Sequence, residues 1–183
     1  MDLWSLRDRA HAAKAAEDIR AAERRELWKE MRRSETVREG ADAFSVGTQA
    51  IRDARDRAQR CLDRGASASH LAAARRHVER ATNATLPPLA AAQKRHEAEC
   101  AAEWEQLTSL GMRIDSTLQQ TTDPNDRRTL GELMDGRRRL SDRAGQRIGS
   151  PAELAELRKE RERMEARLDA LRRGMGDRRD GSS

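Results

Sequence analysis

A chain with one Phe, no Tyr and only seven Val and Ile residues lacks the material from which strands and aromatic pockets are built. In their place stand 33 Arg and 30 Ala, residues that lose little on entering a helix. Leu, Ile, Val and Phe together supply only 25 of the 183 residues, so any core must be thin. Disorder would follow if the charge were one-sided, but 37 basic and 32 acidic side chains nearly cancel, and the apolar residues recur at helical spacing. The expected fold class is therefore all-α, with about six helices in an elongated bundle that ends in an antiparallel helical hairpin of coiled-coil character.

The basic excess is spread along the chain. Residues 1–64 carry 15 basic and 13 acidic side chains, residues 65–122 carry six of each, and residues 123–183 carry 16 and 13. A phosphate-binding face needs concentrated positive charge, so nucleic acid is not the expected partner. No apolar run approaches the roughly 20 residues of a membrane span. The start, Met1-Asp2-Leu3-Trp4, has neither a basic nor an apolar leader segment. Cys61 and Cys100 make no disulfide framework. The expectation is a soluble intracellular protein.

Periodicity divides the chain into a helical core over 1–122, a hairpin over 123–176 and a disordered tail over 177–183. Within the core, helices are expected at about 2–33, 43–63, 67–85 and 88–120. Leu3, Leu6, Ala10, Ala13, Ile19, Leu27 and Met31 mark one face of the first. Ser34, Thr36 and Gly40 then suggest a loop or kink. Phe44, Ile51, Ala54, Ala58, Cys61 and Leu62 should face inward from the second helix, which Gly65 can cap. Leu71, Ala74, Val78 and Ala81 form the third stripe, and Pro87-Pro88 should interrupt it.

The fourth helix should turn Leu89, His96, Cys100, Trp104, Leu107, Ile114 and Leu118 inward. Asp123-Pro124 reads as an N-cap followed by a first-turn proline, before a seam of Leu130, Leu133, Arg137, Leu140 and Ala144. Ser150-Pro151-Ala152-Glu153 has the spacing of a capping box. Beyond it, Leu154, Leu157, Arg161, Met164, Leu168, Leu171 and Met175 repeat with a heptad rhythm that only Arg161 breaks. A charge at such a position lowers stability and can fix register or pairing.

No catalytic, cofactor or metal site is expected. His96 and Cys100, four apart on one helix, would be half a zinc site, with only Cys61 and His70 or His77 to complete it. No Gly-rich phosphate loop or Gly-flanked nucleophile occurs, and most carboxylates stand near Arg at pairing distance on a helix. The densest basic cluster is Arg127, Arg128, Arg137, Arg138 and Arg139, with Arg143 and Arg147 nearby. It reads as a solvated helix face, with phosphate contact or nuclear import as its functional alternatives. Trp4, Trp28 and Trp104 stand out in so aromatic-poor a chain, and an exposed Trp would be a contact anchor.

One window carries a resemblance. Glu26-Leu27-Trp28-Lys29-Glu30, then Arg38-Glu39-Gly40, then Phe44 and an Ala-rich helix through Ala50, Ala54 and Ala58, is similar to the amino-terminal region of a small herpesvirus tegument protein family. That family is the product of the unique-long gene fourteen in alphaherpesviruses, and the match spans roughly the first third of this chain. The resemblance implies a chaperone-like adaptor of the virion tegument and of host cytoplasm and nucleus. Such proteins assist nuclear delivery of the virion transactivator and capsid, and later virion maturation. It implies an interaction region of Glu26, Trp28, Lys29, Arg38, Glu39, Gly40 and Phe44, with Gly40 giving a turn and Phe44 anchoring the helix that follows. Two rivals accompany it: a DNA-associated accessory protein of a GC-rich bacterium or phage, and a structural coiled-coil homodimer.

Overall fold

The computed structural model describes residues 3–145 and 148–180, with side chains from 7 to 178 apart from 146 and 147. Among the described residues there are five α-helices and no strand: α1 (Leu3–Ala43), α2 (Gln49–Asp63), α3 (Ala68–Gln120), α4 (Pro124–Gly145) and α5 (Pro151–Asp180). The protein is all-α. Leu3, Leu6, Trp4, Arg147 and residues 181–183 of the expected tail fall outside the described side chains or backbone.

Two anticipated breaks are helical: one of them only shifts, to residues 44–48, and the loss of the other leaves five helices in place of the expected six. The first is the Ser34–Phe44 stretch, where α1 runs on to Ala43. Ser34 is fully buried in line with Leu27, Met31 and Ala41, and its hydroxyl donates to the Met31 carbonyl at 2.7 Å. A hydroxyl satisfied within its own helix no longer competes with helical hydrogen bonding. The second is Pro87-Pro88, which lies inside α3. Asn83, Ala84, Leu86 and both prolines are exposed, so the carbonyls that lose amide donors lie on the solvated side. Val78, Thr82, Thr85 and Leu89 remain buried on the other side, and both threonines donate to carbonyls four residues back, at 2.8 and 3.0 Å.

The true stops are chemically explicit. After α1, the Val46 amide donates to the Ala41 carbonyl at 2.8 Å and the Ser45 amide to Asp42 at 3.1 Å, with Ser45 left-handed at φ 55°. The same pair of bonds closes α2, from Ala66 to Cys61 and from Gly65 to Leu62, with Gly65 at φ 62° as expected of a glycine cap. Asp123 caps α4 through the amides of Asn125 and Asp126 at 2.8 and 3.3 Å. Ser150 accepts from the Glu153 amide at 3.3 Å, and Glu153 reaches back to the Gly149 amide at 2.7 Å. At the far end, α5 continues to Asp180, through the first residues of the expected tail.

The chain forms two compact units, Met1–Gln93 and Lys94–Ser183. The first is built on Leu27, Met31, Ala54, Ala58, Leu62, Leu71 and Val78 from α1, α2 and the start of α3. The second joins Leu107, Leu110 and Ile114 of α3 to Leu130, Leu133 and Leu140 of α4 and Leu157 and Leu168 of α5. Ion pairs cross between α4 and α5 in reverse sequence order: Asp126–Arg178, Glu132–Arg167 and Arg143–Glu160, at 2.5, 2.7 and 2.8 Å. Arg161 is buried, as its place in the seam requires, and meets buried Glu103 of α3. Trp104 was expected inside but is 45% exposed, and its neighbour Glu103 takes the inner position.

Replacing Pro87 and Pro88 together with Ala should stabilise the protein by about 1–3 kcal/mol in urea unfolding, since it restores two helical amides on an exposed face. A loss of stability would mean that the prolines are needed where they stand.

Candidate protein-contact site

The window flagged by the resemblance lies on the carboxyl-terminal half of α1. Leu27 and Met31 turn inward at 0% and 5% exposure, which leaves Trp28 on the flank at 44%. An indole half in water beside a sealed Leu is available for contact in a way a core residue is not. Glu26 and Lys29 pair at 2.7 Å across the exposed surface, and Lys29 holds the Glu26 carboxyl below its ordinary range. Glu39 is exposed.

Arg38 is differently placed. It sits between Glu35 and Asp42, with contacts of 2.6 Å to each, and the Glu35 hydrogen bond pushes the guanidinium above its ordinary value. From α2, Arg55 donates to the Met31 carbonyl at 2.6 Å and to the Ser34 hydroxyl at 3.2 Å, and pairs with Glu35 at 2.8 Å. Asp42 accepts from the Thr48 hydroxyl at 2.8 Å and from Arg52 at 3.2 Å. The Thr48 bond, then Arg52, keeps its carboxyl below the usual range, while Arg38 does the same for Glu35. This ladder fastens α2 to α1, so Arg38 is engaged with its own chain.

One implied role, that of Gly40, and one expected position, that of Phe44 within the second helix, need correction. Gly40 is helical and half-buried, and a Cβ there would meet only Leu89 Cδ2 at 3.6 Å, an ordinary contact, so it makes no turn. The turn falls after Ala43, and half-buried Phe44 belongs to it: its amide bonds the Ala41 carbonyl at 3.2 Å, and α2 starts only at Gln49. Sequence reasoning missed Ser34, Glu35, Asp42, Thr48, Arg52 and Arg55. The three- and four-residue spacing of Glu35 and Asp42 from Arg38 was the available signal for two of those six.

The basic cluster does not assemble into one face. Arg137 donates from Nε to the Leu107 carbonyl at 3.1 Å and lies so close over Gly111 that a Cβ there would stand 3.0 Å from it. Arg128 faces Glu132 and Arg138 faces Asp135, each at 3.6 Å, and both are highly exposed. Arg127 and Arg139 are exposed too, Arg139 beside a groove between α4 and α5.

His96 is buried, with Nε2 3.1 Å from the Ile148 carbonyl and 3.6 Å from Cys100 Sγ. Burial, then Glu99, pushes the Cys100 thiol up, which opposes thiolate chemistry. Ser67 lies 2.7 Å from His70 Nδ1, and Arg57 donates to His77 at 3.2 Å. Among the described residues no group of three or more His, Cys, Asp or Glu is arranged to hold a metal ion, and no helix is long and apolar enough to cross a membrane.

The lowered Glu35 and Asp42 values mean that the fold favours both carboxylates ionised. Their contribution is complete above the ordinary carboxylate range and is lost as pH falls through the lowered values. The melting temperature should therefore fall between about pH 5 and pH 3, and Arg38→Met should make that fall shallower. An equal fall in both proteins would show that the ladder is not linked to folding.

Comparison of the chain with known protein families, curated proteins and solved structures finds no match.

Proposed function

We propose that the protein is a non-enzymatic helical adaptor that works through helix-face contacts with other proteins, with α1 around Trp28 as its principal contact surface. The observation that carries this reading is the 44% exposure of Trp28 on a helix whose inner flank, Leu27 and Met31, is sealed. Rigid aromatic side chains held half in water on a regular element are what binding hot spots are made of. Trp28, Glu39 and the Glu26–Lys29 pair form the contact surface, while Arg38 supports it from behind through Glu35 and Asp42.

With the resemblance of the Glu26–Phe44 window, the reading extends to a chaperone-like tegument protein of a herpesvirus. Its partners are then viral tegument and capsid components, and its places are the virion and the host cytoplasm and nucleus. We read the α4–α5 pair as an antiparallel hairpin of coiled-coil character, supported by the reverse-order ion pairs. The DNA-associated alternative loses support because Arg137 is spent on a carbonyl while Arg128 and Arg138 face carboxylates.

Affinity capture of tegument and capsid proteins tests the proposal. Trp28→Ala should reduce recovery about tenfold or more with melting little changed, and Arg138→Ala should leave recovery as it was. Undiminished capture by Trp28→Ala would overturn the assignment of the surface. Tight duplex-DNA binding that weakens steeply with salt would replace the adaptor reading with its rival.

A further inference from the structure

Within residues 94–183 two surfaces of opposite character lie on opposite sides of the three packed helices. The first is the outer face of α3. Trp104 and Met112 are 45% and 64% exposed, and with Thr108 between them they stand at four-residue steps along one side of the helix. Eight residues separate the two large side chains, about 12 Å along the axis. Glu97, Glu105 and Asp115 are exposed around them on the same side. None of these three makes an ion pair among the described residues. The inner side of α3 is the one that buries Glu103, Leu107, Leu110 and Ile114.

The second surface is a groove of about 460 Å³ between α4 and α5. Met164 forms its floor because Gly136 has no side chain: a Cβ there would stand 3.2 Å from Met164 Cε. Arg139, Arg143, Arg163 and Arg167 rim it. Arg143 and Arg167 are paired with Glu160 and Glu132, whereas Arg139 and Arg163 make no ion pair among the described residues. The groove faces away from α3. The polar contacts that these helices make with α3, from Arg137, Arg158, Arg161, Glu165 and Asp169, involve no groove residue, and the apolar floor of Leu133, Leu140 and Met164 backs onto the core shared with Leu107, Leu110 and Ile114 of α3.

We propose that the acid-rimmed Trp104–Met112 face of one molecule docks in the arginine-rimmed α4–α5 groove of a second copy. The argument is charge complementarity. Three carboxylates without ionic partners surround an exposed Trp and Met on one side, and two guanidinium groups without them flank an apolar floor on the other. Trp, Met and Arg are the side chains enriched in interface cores. Long-range attraction between the two sides aids encounter and makes the contact sensitive to salt. Because the surfaces differ and lie on opposite sides, the contact is heterologous. Each bound copy leaves one face and one groove open, so assembly proceeds past a dimer unless it closes into a ring. This inference uses no residue of the Trp28 surface and stands apart from it.

Sedimentation velocity on the full chain at low and high salt tests it with two double variants. One removes the face (Trp104→Ala with Met112→Ala) and the other reverses the groove (Arg139→Glu with Arg163→Glu). All four positions lie outside the cores, and thermal melts of each variant establish that it is folded. The wild type should form species larger than a dimer as concentration rises, and added salt should dissolve them. Each variant alone should associate at least about tenfold more weakly. Their mixture should give a one-to-one dimer and nothing larger, because each supplies the surface the other lacks. A wild type that stays monomeric at 100 µM in low salt would overturn the proposal (a concentration about a hundredfold above a micromolar Kd). So would wild-type assembly that neither variant weakens, or two folded variants that do not combine.

Discussion

Glu103 of α3 and Arg161 of α5 meet where water is almost excluded, and the arrangement of the second unit depends on that meeting. The two residues are 4% and 8% exposed. Burial works against the Arg161 charge, but the Glu103 hydrogen bond and charge, with Glu165 beside them, hold its affinity for the proton above the ordinary value. Taking either ion out of water alone costs several kcal/mol, so each makes the other's position necessary. Other contacts follow the same register: Arg158 lies 3.4 Å from Glu103, and Arg113 reaches Glu165 and Asp169 at 3.6 and 2.6 Å. Leucines spaced at heptad intervals would accept several sliding registers, whereas one buried charge pair accepts one.

The same pair explains what was legible in the sequence. Arg161 announced itself as the only charged residue in an otherwise apolar series. Its partner did not, because Glu103 is 58 residues away and stands among many carboxylates. Hydropathy places Trp104 inside and Glu103 outside, and the structure reverses them because Arg161 occupies the facing position. Local chemistry was easier to read. Gly65, Asp123-Pro124 and Ser150-Pro151-Glu153 act where they stand, since a cap needs only its own helix end.

The helix breaks failed for the opposite reason. Ser34 and Pro87-Pro88 carry a local preference against helix, and tertiary packing overrides it. The stripe Leu27, Met31, Ser34 and Ala41 is worth more intact than interrupted, and the prolines lie on the solvated side of α3. The contact window was half legible on the same grounds. The scarcity of aromatics identified Trp28, while the engagement of Arg38 with Glu35 and Asp42 depends on how α2 folds back on α1. A thin core thus leaves much of the specificity to arginine and carboxylate pairs, and the large apolar side chains that remain outside become the natural contact points.

A double-mutant cycle on Glu103→Leu and Arg161→Leu, followed by urea unfolding, tests this account most directly. Each single change leaves a buried ion without its partner and should cost about 2–4 kcal/mol, whereas the double change should return to within about 1 kcal/mol of the wild type. Additive losses would contradict it, because they would mean that the two residues contribute independently and that the pair does not set the packing.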